Sequence, residues 1–402
     1  MRLRIFTTLK ELPASYASLF GTEGAPNFFY SLPWFENFIQ HALDPGDEVR
    51  IYCLEREDTT LAPIAALLTR TQKRPAQRLG PRTLSSLSNY YTTLFGPLLD
   101  PNCNSKEALG ELVRAICCDR PRWDAIDLRY MDRESTVFSD LVNAFENAGM
   151  AVQTYFCSGN WYYPVKGRTY QEYLESLRSS VRNIAKSKNR KIERSGRVRV
   201  EILTTCDGLD SAIRAYDKVY ASSWKVPEPY TLFVPDLMRR CAQAGWLRLG
   251  LAYVDNEPAA AQIWILYNAT ASIYKIAYDQ RFSDLSVGTY LTMRLMEHVI
   301  GVDRVEKIDY LSGDDSYKRD WMSHRRELWG ILALNPRTVR GVLGIARHVG
   351  GRSVKKAGRT LLWVPNAIAA AVQARWTHLR RSLPAKAVVP KSKARSEKQP
   401  PA

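Results

Sequence analysis

The sequence predicts a mixed α/β (α+β) fold with mainly antiparallel sheets, and two observations lead to this expectation. Short runs of β-branched and aromatic residues alternate with amphipathic helical segments over residues 48–335. Three strand-like runs then follow one another almost without interruption over residues 246–279, which is typical of antiparallel strands joined by tight turns. With 402 residues and 45% hydrophobic content, the chain is long enough for two domains.

The first predicted domain covers residues 1–165. It opens on two strands of a hairpin, EVRIYCLERE and LAPIAALLTR, joined by a polar turn. The pattern then predicts a loop at residues 71–88, a strand in YYTTLFGPLL, a helix at 106–117, a strand in WDAIDLRYM, a helix at 138–148 and a strand at WYYPV.

The second predicted domain covers residues 166–335. Thr169 and Glu172 have the spacing of a capping box, and apolar residues at helical spacing continue to Gly196, so one long helix is expected there. Further on, the pattern predicts the strand VRVEIL, helices at residues 209–224 and up to about 244, three strands, a helix at 287–300, the strand VEKIDYLSG, a short helix at 317–322 and the strand ELWGILALN.

Positive charge is concentrated in two places, although the whole chain carries a formal net charge of +16. Residues 336–402 contain fifteen Lys and Arg against one Glu, whereas residues 1–335 contain 42 basic and 40 acidic residues. A second patch lies at residues 178–199, with nine Lys and Arg against Glu193. The body of the protein is therefore nearly neutral, and residues 336–402 form a basic tail that is predicted to be partly helical and partly disordered.

Cysteine and histidine spacing predicts neither a disulfide framework nor a metal site. The seven cysteines form no CxxC pair, and the five histidines form no HExxH pair. The N-terminus lacks a continuous apolar segment, and the apolar stretch at residues 361–374 is shorter than the roughly 20 residues of a spanning helix. We expect a cytoplasmic protein with reduced thiols.

The segment YKIAYDQRFSDLSVGTYL joins a predicted strand to a predicted helix at residues 286–288. The start of a helix presents unpaired backbone N–H groups and the positive end of the helix dipole, which together favour a bound phosphate. Gly288 would let such a ligand approach the backbone closely. The alternative is that Ser286 is an ordinary N-cap and Gly288 a packing residue.

This segment, together with IDYLSGDDSYKRDW and SVRNIAKSKNRKIER, resembles the GNAT acyltransferases, and in particular the FemAB-like group with two GNAT-like domains in tandem and the BioF2-like or CelD-like acetyltransferases. The motifs SLPWFENF and NYYTTLFGPLL extend the resemblance to residues 25–335. It implies tandem GNAT-like domains, the first degenerate and on the acceptor side, and an acyl-CoA donor such as acetyl-CoA between splayed strands. Its pyrophosphate would contact Leu285, Ser286, Val287, Gly288 and Thr289.

One departure from the GNAT signature leaves the donor open. The signature Q/R-x-x-G-x-G/A, with Gly288 as its last glycine, places Ser283 at the Gln or Arg position and Ser286 at the first glycine. An aminoacyl-tRNA donor, as in FemAB enzymes, therefore remains an alternative to acyl-CoA.

The resemblance also implies an acid and a base for transfer to an amine or hydroxyl. Tyr317 matches the tyrosine that serves the leaving thiolate, and Lys318 matches the lysine of a Tyr-Lys pair that would bind an anionic donor or acceptor. From the residues themselves, Asp309 and Asp279 end two strands in the same region, and a buried carboxylate there would have the raised pKa of a base. The alternatives are packing for Tyr317, solvation for Lys318 and turn capping for each Asp.

Acceptor contacts are expected from Asn89 and Tyr91, in an aromatic cluster of the first domain, and from Arg182 in the basic patch. Core packing and a solvated charged face are the alternatives. The leading hypothesis is acyl transfer to a polysaccharide, peptidoglycan or lipid-linked precursor of the cell envelope or of an exopolysaccharide, with no nucleic acid partner. The basic tail either contacts the inner membrane peripherally or is a disordered extension. A non-catalytic adaptor on a degenerate scaffold is the rival hypothesis.

Overall fold

One mixed sheet of thirteen strands runs through the part of the chain that this computed structural model describes, residues 1–21, 25–57, 62–72 and 80–348. The strands are β1 (Arg2–Phe6), β2 (Asp47–Glu55), β3 (Pro63–Gln72), β4 (Thr83–Ser86), β5 (Leu98–Leu99), β6 (Ala125–Asp132), β7 (Ala151–Pro164), β8 (Val198–Leu203), β9 (Leu247–Val254), β10 (Glu257–Tyr267), β11 (Thr270–Tyr278), β12 (Lys307–Ser312) and β13 (His324–Leu334). The α-helices are α1 (Ala17–Phe20), α2 (Leu32–His41), α3 (Ser105–Cys118), α4 (Thr136–Asn147), α5 (Tyr170–Ser176), α6 (Ser179–Ser195), α7 (Leu209–Ala221), α8 (Phe233–Gln243), α9 (Val287–Gly301) and α10 (Lys318–Trp321).

The strand order shows two repeats that meet in the middle of the sheet. The order is β1-β2-β3-β4-β6-β13-β7-β12-β11-β10-β9-β8, with β5 paired to β3 at the side. Counting inward from either edge, the fourth and fifth strands are the parallel pairs β4–β6 and β11–β12, and the other pairs are antiparallel. The mixed, mainly antiparallel α/β architecture predicted from the sequence is confirmed, and the tandem repeat is visible in the sheet.

The two repeats exchange their last strands. β7 precedes residue 165 in the chain but pairs with β12 of the second repeat, whereas β13, from the end of the second repeat, pairs with β6 of the first. β7 and β13 also pair with each other in antiparallel orientation along eleven registered positions. The described chain up to residue 345 forms a single compact unit, and the division into domains at residue 165 stays a prediction.

Helices cover the sheet in three groups around three apolar cores. α3 and α4 pack on the first repeat, and α5 and α9 pack on the second. The third core joins the repeats, because α2 of the first lies against α7 and α8 of the second. There, Trp34 meets Phe233 edge to face at 5.7 Å, and the Asn37 side chain donates to the Phe233 carbonyl at 3.2 Å. These contacts fix the two repeats as one body.

Two local predictions are wrong. The segment YYTTLFGPLL is irregular up to its last residues, where β5 forms, and β4 lies instead within the predicted loop at 71–88. The long helix predicted from Thr169 to Gly196 is broken between α5 and α6, because Leu177 takes an extended conformation (ψ 153°) that buries its side chain beside α5. The capping box at Thr169 and the left-handed Gly196 (φ 60°) are confirmed.

In the described residues, no helix combines the length and the apolar character that a membrane span requires. Residues 349–402 lie outside the described residues, and so do the predictions for most of the basic tail.

Candidate active site

The parallel strands β11 and β12 separate after a short stretch of pairing. Residues 270–272 pair with residues 307–309, and the registered pairing ends there. Past that point β12 bulges, since its pairing with β7 jumps from Asp309 to Ser312 and Leu311 is left-handed with φ of 58°. The result is a gap between the two strands that connects the two faces of the sheet.

Asp309 holds this bulge in place. Its side chain is 1% exposed. One carboxylate oxygen accepts from the Leu311 N–H at 2.9 Å and from Asn160 Nδ2 at 2.7 Å, and the other accepts from Arg326 Nη2 at 2.8 Å. Charge-assisted bonds of this kind stabilise the carboxylate and fix its position. The structure therefore places Asp309, which we predicted as a base, inside the sheet as the anchor of the bulge.

A first cavity of about 330 Å³ lies on the face of the gap that α9 covers, and we call it the α9 cavity. α9 begins directly after Ser286, which is left-handed (φ 55°), and the Lys188 side chain of α6 donates to the Ser286 hydroxyl. The first turn of the helix, with its free N–H groups, thus faces the cavity beside a cation. The lining residues are Trp224, Gln262, Ile276, Ala277, Tyr278, Ser283, Ser286, Val287, Gly288, Thr289, Thr292, Tyr310, Tyr317 and Trp321.

Four of the five residues predicted at the helix start line this cavity, and Leu285 instead packs against the core under α9. Gly288 is tightly placed, because a Cβ atom there would lie 3.3 Å from Cδ1 of Tyr278. Gln262 donates to the Gly288 carbonyl at 3.0 Å and to the Thr292 hydroxyl at 2.7 Å, which fixes the first turn of α9 against the sheet.

A second cavity of about 240 Å³ opens on the other face of the gap, between the two repeats, and we call it the lysine cavity. Its lining residues are Tyr90, Tyr91, Thr93, Lys225, Ile273, Tyr274, Lys275, Ile276, Tyr310, Leu311, Ser312, Asp315, Tyr317 and Lys318. Ile276, Tyr310 and Tyr317 line both cavities. The two spaces therefore meet at these three side chains.

Tyr317 occupies this meeting point, just before α10. Its ring packs edge to face on Tyr310 at 5.6 Å, and the residue is 40% exposed. Burial of the phenol, with the negative charge of Asp315 nearby, raises the pKa of Tyr317 to about 12. The phenol is consequently protonated at neutral pH and can donate a proton in the gap.

Lys318, for which we left contact with a donor or an acceptor open, lies on one side of the gap. It lines the lysine cavity, where its ammonium group donates to the Ser312 carbonyl and lies 3.8 Å from a carboxylate oxygen of Asp315. Burial lowers the pKa of Lys318, and the partly compensating carboxylates do not restore it. Its contacts are on the face away from the start of α9.

Asp279 caps the turn after β11. Its carboxylate accepts from the Arg281 backbone N–H at 2.9 Å and from the Arg281 guanidinium at 2.8 and 3.0 Å. Burial raises the pKa of Asp279, but the hydrogen bonds and charge of Arg281 outweigh that effect and hold the pKa below its ordinary value. The raised pKa that we expected for a base is wrong here, and the capping alternative describes the residue.

Of the three predicted acceptor contacts, Tyr91 lines the lysine cavity. Asn89 supports it, since its side chain accepts from the Tyr91 N–H at 2.9 Å and donates to the Ala42 carbonyl at 3.2 Å. Arg182 donates to the Glu175 carbonyl at 2.9 Å and stabilises the junction of α5 and α6. Asn89 and Arg182 are not among the residues that line the cavities described above.

The loop between α7 and α8, where no site residue was predicted, supplies residues to both sides of the gap. Trp224 lines the α9 cavity and packs on Tyr278 at 4.7 Å, while its neighbour Lys225 lines the lysine cavity. Glu228 of the same loop binds Lys275 at 2.5 Å. A loop rich in proline between two helices carried no motif that would have marked these residues.

The corresponding place in the first repeat is filled by the chain itself. β6 has an irregularity like that of β12, with Tyr130 left-handed at φ of 66°. The Phe95 N–H donates to the Tyr130 carbonyl at 2.9 Å, and the Phe95 side chain is buried in the core under α3 and α4. The open gap therefore belongs to the second repeat.

The described residues contain no cluster of three His, Cys, Asp or Glu side chains that could hold a metal ion.

Comparison with known proteins agrees with this geometry. Residues 179–319, which include the start of α9 and Tyr317, match the family model of the acetyltransferase (GNAT) domain. The fold is similar to that of FemX, with a TM-score of 0.55 and 12% identity over 82% of this chain and 97% of FemX. A C-terminal domain of a putative lysylphosphatidylglycerol synthetase from Agrobacterium fabrum matches with a TM-score of 0.47 and 10% identity over 74% of this chain and 87% of that domain. No curated protein matches the chain by sequence. The predicted resemblance to GNAT acyltransferases is confirmed for residues 179–319 by the family model, and the similarity to FemX is one of fold.

Proposed function

We propose, from the GNAT-type acetyltransferase domain that this chain contains at residues 179–319, that the protein moves an acyl group from acyl-CoA to an amine or hydroxyl. The observation that carries the proposal is the meeting of two cavities at Tyr317, one at the start of α9 and one between the repeats. A donor and an acceptor can each occupy one cavity, and the reacting atoms then meet in the gap. Direct transfer requires such proximity.

The α9 cavity is the proposed donor side. Ser286, Val287, Gly288 and Thr289 present the N-terminal turn of a fifteen-residue helix, which favours an anionic group such as a pyrophosphate. Lys188 adds a positive charge next to Ser286. An acyl chain continuing from that site would pass Ile276 and Tyr310 into the gap, where β11 has backbone groups without a strand partner on the β12 side.

Proton transfer in this scheme uses Tyr317 and Asp315. The attacking amine or hydroxyl forms a bond to the thioester carbon and loses its proton to the carboxylate of Asp315, the one acidic residue among the described lining residues of the lysine cavity. The carbon–sulfur bond breaks, and the thiolate takes the proton of the Tyr317 phenol. Exchange with solvent through the 40% exposed Tyr317 and the exposed Asp315 then restores both groups.

The proposed acceptor is a polysaccharide, peptidoglycan or lipid-linked precursor of the cell envelope or of an exopolysaccharide. The resemblance to FemAB-like and to BioF2-like or CelD-like proteins supports this class. The lysine cavity supports it as well, because it is open to solvent and lined by tyrosine, threonine and serine hydroxyls suited to a polar molecule.

One observation favours a second candidate, an aminoacyl-tRNA donor. Lys188 belongs to the basic face of α6, which reaches the start of α9 through Ser286. Basic side chains beside an anion site suit a nucleic acid backbone as well as a pyrophosphate. Addition of acetyl-CoA and of aminoacyl-tRNA in separate stability measurements distinguishes the two donors.

Acetyl-CoA is expected to raise the melting temperature of the protein by several degrees. A ligand at 100 times its Kd stabilises the folded state by about 2.7 kcal/mol, and the Gly288→Glu variant should lose this effect because its side chain crowds Tyr278 and repels a pyrophosphate. Differential scanning fluorimetry with and without acetyl-CoA measures both. The control is Gly110→Glu on α3, where a Cβ atom has open space around it.

Absence of a shift with acetyl-CoA and with longer acyl-CoA, in a protein that melts cooperatively, would contradict the acyl-CoA donor. A shift with aminoacyl-tRNA alone would establish the second candidate. A protein that binds neither donor would fit the adaptor hypothesis.

Removal of residues 349–402 is expected to weaken binding to vesicles that contain anionic lipid and to leave the acetyl-CoA shift unchanged. This segment holds most of the basic tail, and each Lys or Arg near an anionic surface contributes about 1 kcal/mol of attraction. Vesicle sedimentation at two salt concentrations measures the binding. Equal sedimentation of the two proteins would contradict a peripheral membrane role for the tail.

A further inference from the structure

We propose that the lysine cavity binds an anionic group of the acceptor, a carboxylate or a phosphate, through Lys225, Lys275 and Lys318. The inference deepens the proposed function and depends on it, since it names a chemical feature of the molecule that accepts the acyl group. It assigns Lys225 and Lys275, which no motif identifies, to acceptor specificity.

Lys275 forms an ion pair with Glu228 at the wall of the lysine cavity. Glu228, which is not among the residues that line the cavity, accepts from Lys275 at 2.5 Å and from the Tyr220 hydroxyl at 2.6 Å, and the Tyr91 hydroxyl also donates to it. This carboxylate therefore has its oxygens committed to three donors. Its charge is matched by Lys275 alone, and the pair fixes the ammonium group at the cavity wall, above the ring of Tyr91 at 4.8 Å.

Lys225 is the second lysine that lines this cavity. In the described part of the chain, no carboxylate lies within 4 Å of its ammonium nitrogen, and its recorded ring contact is Trp224 at 5.6 Å. The residue is half-buried, so this charge is not freely solvated either. Burial and the nearby positive charge of Lys275 lower the pKa of Lys225, and the carboxylates of Glu228 and Asp315 offset this only in part.

Lys318 is the third lysine that lines this cavity. Asp315 lies 3.8 Å from its ammonium group, but the Asp315 side chain is 61% exposed, so solvent screens much of their attraction. The charge of Lys225 acts against that of Lys318 as well. Three ammonium groups thus share one small cavity, and the carboxylates of Glu228 and Asp315 leave one positive charge unmatched. An anion in the cavity would remove the repulsion among the lysines.

The three lysines line the same cavity as Tyr317. Lys318 follows Tyr317 directly in the chain, and both line the cavity together with Ser312, whose hydroxyl donates to Thr93 at 3.2 Å. An anionic group held by the lysines would leave the nucleophile of the same molecule facing the gap. An acceptor without such a group would lack this anchor.

The test measures how anions protect individual lysines from acylation. The full-length protein is treated briefly with a neutral N-hydroxysuccinimide ester in sodium phosphate, sodium acetate or sodium chloride of equal ionic strength, and modification at each lysine is quantified by peptide mass spectrometry. We expect phosphate or acetate to slow modification of Lys225 and Lys318 at least threefold relative to chloride. The exposed Lys106 should show no difference.

Variants make the result specific to the cavity. Lys275→Met should reduce the protection of Lys225 by the same anion, whereas Lys106→Met should leave it unchanged. Protection by phosphate but not acetate identifies a phosphorylated acceptor, and the reverse identifies a carboxylated one. Equal modification of Lys225 in all three salts, or protection that Lys106 shares, overturns the proposal. A retained acetyl-CoA shift in that case would leave the proposed transferase function standing.

Discussion

Tyr317→Phe is expected to lower kcat about 100-fold, which is the low end of the range for loss of a general acid. The affinity for acetyl-CoA should change by less than about twofold, since the hydroxyl acts on the leaving thiolate and the ring remains in place. Without a proton donor, departure of the thiolate is the slow step of the reaction. Thiol release in the presence of an acceptor, with acetyl-CoA affinity from calorimetry, measures the two quantities.

The pH dependence of the wild type provides a second reading of the same residue. The pKa of Tyr317 is raised to about 12, so the phenol keeps its proton throughout the accessible range. A group with a raised pKa loses its acid form only as the pH approaches that value. Loss of the Tyr317 proton should therefore cause no fall in activity between pH 7 and about 10. Any fall that the wild type shows in this range should also appear in Tyr317→Phe.

Tyr253→Phe is the matched control, because this tyrosine lies on β9 and is outside both cavity linings. It should retain full activity. A Tyr317→Phe enzyme with wild-type kcat would show that solvent protonates the thiolate, and Tyr317 would then be a packing residue of the gap.

The sequence alone located the helix start that lines the α9 cavity because its signals are local. The strand, the turn and the start of α9 lie within one stretch of about twenty residues, and the residues 286–289 that it marked do line a cavity. Tyr317 was found for a related reason, since the short segment before β13 carries a compact motif. Both predictions needed only neighbours in the chain.

The remaining parts of the site depend on contacts between distant residues. Lys225, Lys275 and Tyr91 come from three separate segments, and their common cavity exists only because the two repeats share one core. The exchange of β7 and β13 likewise follows from pairing across more than 140 positions, as between Pro164 and Lys307. Periodicity predicts elements but carries no information on which strands pair.

The environment of Asp309 depends on distant contacts in the same way. A carboxylate at the end of a strand has the same sequence pattern whether it faces a cavity or a buried cation. Arg326, the buried cation that binds Asp309, follows seventeen residues later on another strand. We propose from this buried ion pair that Asp309 has a structural role, and a variant tests it.

Asp309→Asn is expected to reduce the free energy of unfolding by about 3 kcal/mol, because it removes the anionic partner of a largely buried arginine. The side chains of Asp309 and Arg326 are 1% and 15% exposed, so solvent compensates little for the loss. The pair of Arg197 and Asp255, each 55% exposed, supplies the control, and Asp255→Asn should reduce the stability far less than Asp309→Asn because solvent screens an exposed pair. Urea unfolding of the three proteins measures the differences.

The same variant separates a positioning role from a catalytic one. If Asp309 held the bulge and took no proton, the folded Asp309→Asn enzyme, assayed well below its melting temperature, would keep kcat within about tenfold of the wild type, whereas removal of a general base costs about 100-fold or more. Its loss would appear mainly in stability and in the fit of the donor beside β12. An unaltered stability together with a kcat reduced beyond 100-fold would reverse the assignment and return Asp309 to the role of base.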